Sequence, residues 1–250
     1  MSLRLRNVQA DAPAAAHDAV VAFWAAALGA ASTRRASEHH THLVGHDAVC
    51  GLHVQRREDG VSRFHLDLDT DDVAGEVQRL LAAGATHVAS RPQGDGDVLA
   101  SPAGLVLCVV ETGRIEPELG TPGHGPARLA AVFVDVPAGL VDAEVGFWTA
   151  AFEVDARVAT ERDEYVLLGD VPGVSGPVRF EVQRLDDGAP RYHVDLDATD
   201  VTDAAARLQA AGAAHVQDVD SWVTLADPAG LLLCVVPDHF HASDDPESAP

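Results

Sequence analysis

The chain repeats itself, and the repeat limits what it can fold into. Phe64–Val73 matches Tyr192–Val201 at six of ten positions. Arg79–Val88 matches Arg207–Val216 at eight of ten, and Leu99–Val110 matches Leu225–Val236 at ten of twelve. The offsets are 128, 128 and 126 residues, and Phe23-Trp24 recurs as Phe147-Trp148 after 124. Order, offset and identity persist together through most of each half. One module has been duplicated in tandem.

Within each copy the period of apolar residues switches between two and about 3.6. Leu3–Gln9 alternates as a strand. His17–Leu28 places Val21, Trp24 and Leu28 on one helical stripe, with Gly29 where a helix ends. Short strands are expected at His42–Val44, Val49–Gln55 and His65–Asp69. A second helix opens on Asp71 and Asp72, turns Val73, Val77, Leu80 and Leu81 inward and stops at Gly84. Strands near Thr86–Ala89, Val98–Ala100 and Leu105–Val110 complete the copy. Copy two repeats the scheme, with Val201, Ala205 and Leu208 as stripe and Gly212 as stop. The pattern predicts an α+β fold: module one over residues 1–112 and module two over 127–240. Residues 113–126 read as a linker, rich in Pro and Gly. Residues 241–250, rich in Asp, Ser and Pro, are expected to be unstructured.

Charge narrows the partners. The chain carries 39 acidic and 17 basic residues, a net charge of −22, which disfavours nucleic acid and anionic membranes and favours a cationic small molecule. Three cysteines (Cys50, Cys108 and Cys234) make no disulfide framework and suit a reducing compartment. The N-terminus lacks a signal-type apolar core, and the longest uncharged stretch, Ala19–Thr33, is too short to span a bilayer. The expectation is a soluble cytoplasmic protein, monomer or homodimer, whose partner is a small molecule.

Four motifs carry a resemblance: the helix end of Phe23-Trp24 with Leu28-Gly29, the His-x-Asp-x-Asp strand (His65, Asp67, Asp69), the Ala-Ala-Gly-Ala helix exit, and the Asp-Pro-x-Gly turn before the last strand. Together they resemble the vicinal oxygen chelate superfamily of glyoxalases, bleomycin-resistance proteins and extradiol dioxygenases, most closely its glyoxalase-like actinobacterial branch. The resemblance implies two βαβββ units per module, a cupped sheet inside and helices outside. It also implies metal-ligand positions, in metal-using members, on four strands of a module. Here the first falls on Asn7 or Ala131, the next on His53 or Gln55 and on Glu181 or Gln183, the third on His65 and His193. The last, normally Glu, falls on Cys108 and Cys234. Neither module offers the usual His and carboxylate set, so no cofactor is expected. A divalent metal, if bound, would fall to His65, His193, His53 and Glu181.

The polar face of His65-x-Asp67-x-Asp69 and of His193-x-Asp195-x-Asp197 should line the cup, since the alternate residues are apolar. The histidine of each can hold a ligand, move a proton or bind metal; the Asp pair reads as fold-holding. Cys108 and Cys234, mid-strand between apolar neighbours, read as small hydrophobes, with zinc-thiolate ligation as the alternative. His39, His40, His42 and His46 cluster in copy one alone. Trp222 stands where copy one has Gly96, and Glu181 where copy one has His53, beside Gln183. An aromatic wall with an acidic neighbour suggests copy two as the better site. The leading reading is binding of a small, mostly apolar molecule, cationic ones included, without obligatory metal. The alternatives are a metal-dependent lyase, isomerase or dioxygenase, and a structural or regulatory protein with an empty cup.

Overall fold

The computed structural model describes residues 3–30, 32–44, 51–92, 94–113, 125–159, 162–173 and 178–238. Most of the expected linker, the whole expected tail, and His46, Val49 and Cys50 lie outside these. Module one comprises β1 (Arg4–Pro13), α1 (His17–Leu28), β2 (Ser32–Arg35), β3 (His40–Val44), β4 (Gly51–Arg57), β5 (Arg63–Thr70), α2 (Val73–Ala82), β6 (Thr86–Ser90), β7 (Gly96–Ala100) and β8 (Val106–Glu111). Module two repeats the order: β9 (Arg128–Pro137), α3 (Val141–Phe152), β10 (Ala156–Val158), β11 (Tyr165–Leu168), β12 (Arg179–Leu185), β13 (Arg191–Ala198), α4 (Val201–Ala210), β14 (Ala214–Val219), β15 (Trp222–Ala226) and β16 (Leu232–Pro237). Each module is therefore two βαβββ units. Sequence periodicity missed β2 and β10, short strands that have almost no buried face.

Each module folds as one eight-stranded mixed sheet, ordered β2-β3-β4-β1-β5-β8-β7-β6 and β10-β11-β12-β9-β13-β16-β15-β14. The first strand of each unit lies parallel to the last strand of the same unit, and the two first strands pair antiparallel at the centre. Alternation then sorts the side chains. Val8, Ala10, Leu52, Val54, Leu66, Leu68, Leu107 and Val109 are buried in the core, where the helices bring Phe23 and Trp24. Burying each of the larger apolar side chains is worth about 1.5–3 kcal/mol. The opposite face carries Gln9, Asp11, His65, Asp67 and Cys108, and it forms the cup.

Helix ends follow local chemistry. Asp72 accepts from Gly75 N at 2.9 Å and Asp200 from Asp203 N at 2.9 Å, capping α2 and α4. Gly29 ends α1 in the left-handed region (φ 62°), where the equivalent residue ending α3 is Glu153 (φ 57°). A side chain there costs about 1–2 kcal/mol.

The modules pack against each other, and a carboxylate changes sides at the contact. Trp24 Nε1 donates to Asp227 Oδ2 at 3.0 Å, from α1 to the turn before β16 in the other module. At the equivalent contact the turn carries Ser101. There Trp148 Nε1 donates to Glu144 Oε2 of its own helix at 2.8 Å, and Glu144 Oε1 accepts from Ala103 N at 2.6 Å. Position −4 from Trp24 is Val20, which cannot accept. Burial raises the pKa of both Glu144 and Asp227, against the hydrogen bonds they accept. Asp227 Oδ1 also accepts from Ala229 N (2.8 Å) and Leu231 N (2.9 Å), so the Pro-Ala-Gly turn is structural, as its sequence suggested.

Candidate functional site

Strand register builds the cup in rows. In module one Gln9 of β1 lies between His53 of β4 and His65 of β5. Asp11 lies between Gln55 and Arg63, and Asp67 between Asn7 and Cys108. The module-two rows are Glu181–Phe133–His193, Gln183–Asp135–Arg191 and Ala131–Asp195–Cys234. The first-strand residue opposite each cup histidine is thus Gln9 or Phe133. Asn7 and Ala131 sit one pair further along and line neither cavity. An exchange of sizes accompanies this row: Gly51 faces Asn7, where an added Cβ would lie 2.1 Å from Asn7 Oδ1, whereas Arg179 faces Ala131.

A chain of charges runs along the floor of each cup. In module two Arg191 Nε lies 2.8 Å from Asp135 Oδ2, His193 Nδ1 lies 2.8 Å from Asp135 Oδ1, and His193 Nε2 lies 3.5 Å from Asp195 Oδ1. Module one has Arg63 Nε to Asp11 at 3.0 Å, His65 Nδ1 to Asp11 at 3.2 Å and His65 Nε2 to Asp67 at 3.6 Å. Gln9 Nε2 donates to Asp67 Oδ2 at 2.8 Å. Burial opposes charging either histidine, but the flanking carboxylates, Asp11 and Asp135 foremost, outweigh it and hold both pKa values well above 6.5. Burial likewise opposes ionising Asp67, yet His65 and Gln9 hold it below the usual carboxylate range. Cys234 goes the other way: burial and then Asp195 raise its thiol, despite the hydrogen bonds from His193 and Thr224.

The walls differ between cups. In module two Phe133 stacks on His193 (centroids 4.5 Å, 12° between planes), and Tyr165 meets Phe133 edge-on at 6.0 Å. Gln183 Nε2 donates to Tyr165 Oη at 3.2 Å; burial and then the Asp195 charge push this phenol up to about 12. Trp222 closes the wall, with the Arg162 guanidinium 4.8 Å from its ring centroid. The enclosed cavity is about 240 Å³. Module one encloses about 310 Å³ and has no aromatic carbon ring in its lining.

The sequence candidates distribute between the two cups. His193, Trp222, Glu181, Gln183 and Cys234 line the module-two cavity, and His65, Gln55 and Cys108 line that of module one. His53 is buried against His42, their rings stacked at 3.9 Å, and does not line the cavity. Of the clustered histidines, His39 and His40 reach the module-one rim. Glu181 pairs with Arg179 at 3.4 Å. Asp69 and Asp197 hold Arg4, Arg6 and Arg128, the fold-holding role expected of the motif. Asp67 and Asp195 instead belong to the floor. Sequence reasoning also missed Asp11, Asp135, Phe133, Tyr165, Arg162 and Arg191. Asp11 and Asp135 carried a signal: both interrupt apolar strands, at the offset of 124 shared with Phe23 and Phe147.

His65, Asp67 and Cys108, and equally His193, Asp195 and Cys234, bring one donor atom each to within 4.8 Å of one another. With Asp11 or Asp135 on Nδ1, the histidine turns Nε2 toward the other two donors, the usual orientation of a metal-binding imidazole. The N, O and S donors fit a divalent ion such as Zn²⁺.

A model of the glyoxalase-like domain matches this chain twice, over residues 7–110 and 131–236. The chain belongs to the glyoxalase-like domain family. Its two glyoxalase-like modules place it in the vicinal oxygen chelate superfamily, and solved structures share the tandem architecture. A triple mutant of 4-hydroxymandelate synthase from Streptomyces coelicolor superposes with a TM-score of 0.62 at 14% identity, over 93% of this chain and 91% of that one. The 2,2',3-trihydroxybiphenyl 1,2-dioxygenase of Sphingomonas wittichii gives 0.63 at 12%, over 94% and 90%. The 2,3-dioxygenase LapB of Pseudomonas gives 0.60 at 12%, over 93% and 91%. At such identities these neighbours share the fold. No curated protein matches the glyoxalase-like chain in sequence. Among the described residues no helix is long and apolar enough to cross a membrane.

Proposed function

We propose that the chain binds a small, flat, mostly apolar molecule in the module-two cup, with no metal required for binding. The observation that carries this reading is the aromatic wall of Phe133, Tyr165 and Trp222 above the His193–Asp195–Cys234 floor. Aromatic pairs add about 0.5–1.5 kcal/mol beyond the area they bury, and the floor offers a polar end to aim at. The net charge of −22 pointed to cationic guests, and the cup narrows that expectation. Arg162 already occupies a face of Trp222, and Glu181 is paired with Arg179.

The test is fluorescence and calorimetry with 2-naphthol and with 2-naphthylmethylamine as its cationic counterpart. Naphthol should bind one site per chain, and Trp222→Ala should weaken it about tenfold, or about 1.4 kcal/mol. Equal binding by Trp222→Ala refutes the wall; tighter binding of the amine restores the cationic guest.

The donor trios favour a second reading, a metal-dependent lyase, isomerase or dioxygenase. A divalent ion held by His193, Asp195 and Cys234 would polarise a substrate oxygen and acidify a bound water. In that case Asp135 would orient the His193 ring, and the aromatic wall would position substrate and exclude water. Chelation distinguishes the readings. Naphthol binding that survives EDTA supports the first, whereas one metal per chain, needed for binding and lost in His193→Ala, supports the second.

A further inference from the structure

The module-one cup differs from its twin in a way that the reading above does not use. Three of the chain's 17 basic residues, Arg57, Arg63 and Arg91, converge on one cavity of about 310 Å³. Each is gripped by a carboxylate outside the lining. Arg63 Nε donates to Asp11 (3.0 Å), Arg91 Nε to Asp95 (3.0 Å) and Arg57 Nε to Asp59 (3.2 Å). These bonds hold the guanidinium groups in place. A guanidinium has five N–H donors, and the Nη groups of Arg63 and Arg91 make no hydrogen bond among the described residues. Asp67 is the one carboxylate in the lining, and it faces His65 and accepts from Gln9. Gln9 is 2% exposed, and its Oε1 has no hydrogen-bond partner among the described residues. Pro92, Val98 and Val106 supply an apolar wall. In module two the counterpart of Arg57 is Leu185, that of His40 is Tyr165, and only Arg63 keeps an equivalent, Arg191.

We propose that the module-one cup is a second, separate binding site, for a small organic carboxylate. Arg91 and Arg63, through those Nη groups, would receive the carboxylate, with Arg57 beside them offering only the Nη1 that its two bonds to Asp59 leave, and the apolar body would lie against Val98 and Val106. Charge-assisted hydrogen bonds to pre-oriented guanidinium groups give both strength and direction. A donor on the ligand body, such as a hydroxyl, would satisfy Gln9 Oε1.

The test is titration calorimetry of the full chain with benzoate, benzamide and inorganic phosphate. Benzoate should bind one site per chain about tenfold more tightly than benzamide or phosphate, and more weakly as salt is raised. Arg91→Gln should reduce benzoate affinity about tenfold, and Arg57→Gln, an independent variant at the end of β4, should reduce it less. Trp222→Ala should leave it unchanged while still weakening naphthol, which keeps the two cups distinguishable. Equal binding of benzamide, or no loss in either arginine variant, overturns the proposal. So does loss of benzoate in Trp222→Ala, which would assign the anion to the other cup. Phosphate binding as tightly as benzoate would refute the apolar subsite and with it the organic ligand.

Discussion

The two cups share a floor and differ in their walls. Both keep Arg, Asp, His, Asp and Cys in the same rows, with the His between two carboxylates. Above the floor, module one presents guanidinium groups and module two presents aromatic rings. The floor lies on the central strands, where a single side-chain change disturbs neighbours on both sides of the sheet. Much of each wall lies on outer strands and loops, where a substitution has fewer neighbours to disturb. Duplication thus left the floor residues in common and let the walls diverge.

The largest test of the comparison lies where the modules meet. Asp227→Ala removes the acceptor of Trp24, Ala229 and Leu231 together, and should cost about 2–4 kcal/mol in urea unfolding. Ser101→Ala, its counterpart, should cost about 1 kcal/mol or less, because Glu144 supplies the carboxylate there. Equal costs would mean that the two contacts are not the unequal pair described.

A smaller effect tests whether the floors really are alike. His65 and His193 both have pKa values raised above 6.5 in the folded chain, so their stabilisation is complete below 6.5 and lost as pH rises through the folded values. Asp67 is shifted down, so its contribution is complete above 3.8 and lost as pH falls through its folded value. The module-one floor should therefore be most stabilising between 3.8 and 6.5. Nitrogen-15 NMR should show both rings protonated at pH 6.5; a neutral ring in one module alone would break the likeness. The smallest effect belongs to a wall. Arg162→Gln should shift Trp222 emission while changing stability by less than about 1 kcal/mol.

Much of this was legible in the sequence, for reasons tied to particular residues. Offsets of 124 to 128 exposed the modules, and parity placed His65 and His193 on the polar face. Parity could not separate Asp67 from Asp69, because both point the same way and only depth along β5 distinguishes them. Asp69 meets Arg4 and Arg6, whereas Asp67 meets the cavity. Arg57 and Tyr165 were invisible because they stand at the ends of outer strands, and Arg91 and Arg162 because loops set how far they reach into a cup. Trp222 stood out only because its twin is Gly96, which has no side chain.

The carboxylate that changes sides between the modules has a consequence for the history of the chain. A protein assembled from two copies of module one would place Val20 and Ser101 around each indole and leave both N–H groups without a carboxylate. One assembled from two copies of module two would bring Glu144 and Asp227 to the same indole, two buried acids at one donor. Neither half can now stand in for the other. The two halves are complementary at this contact, and a chain recombined from two like halves would carry either no carboxylate or two at each indole.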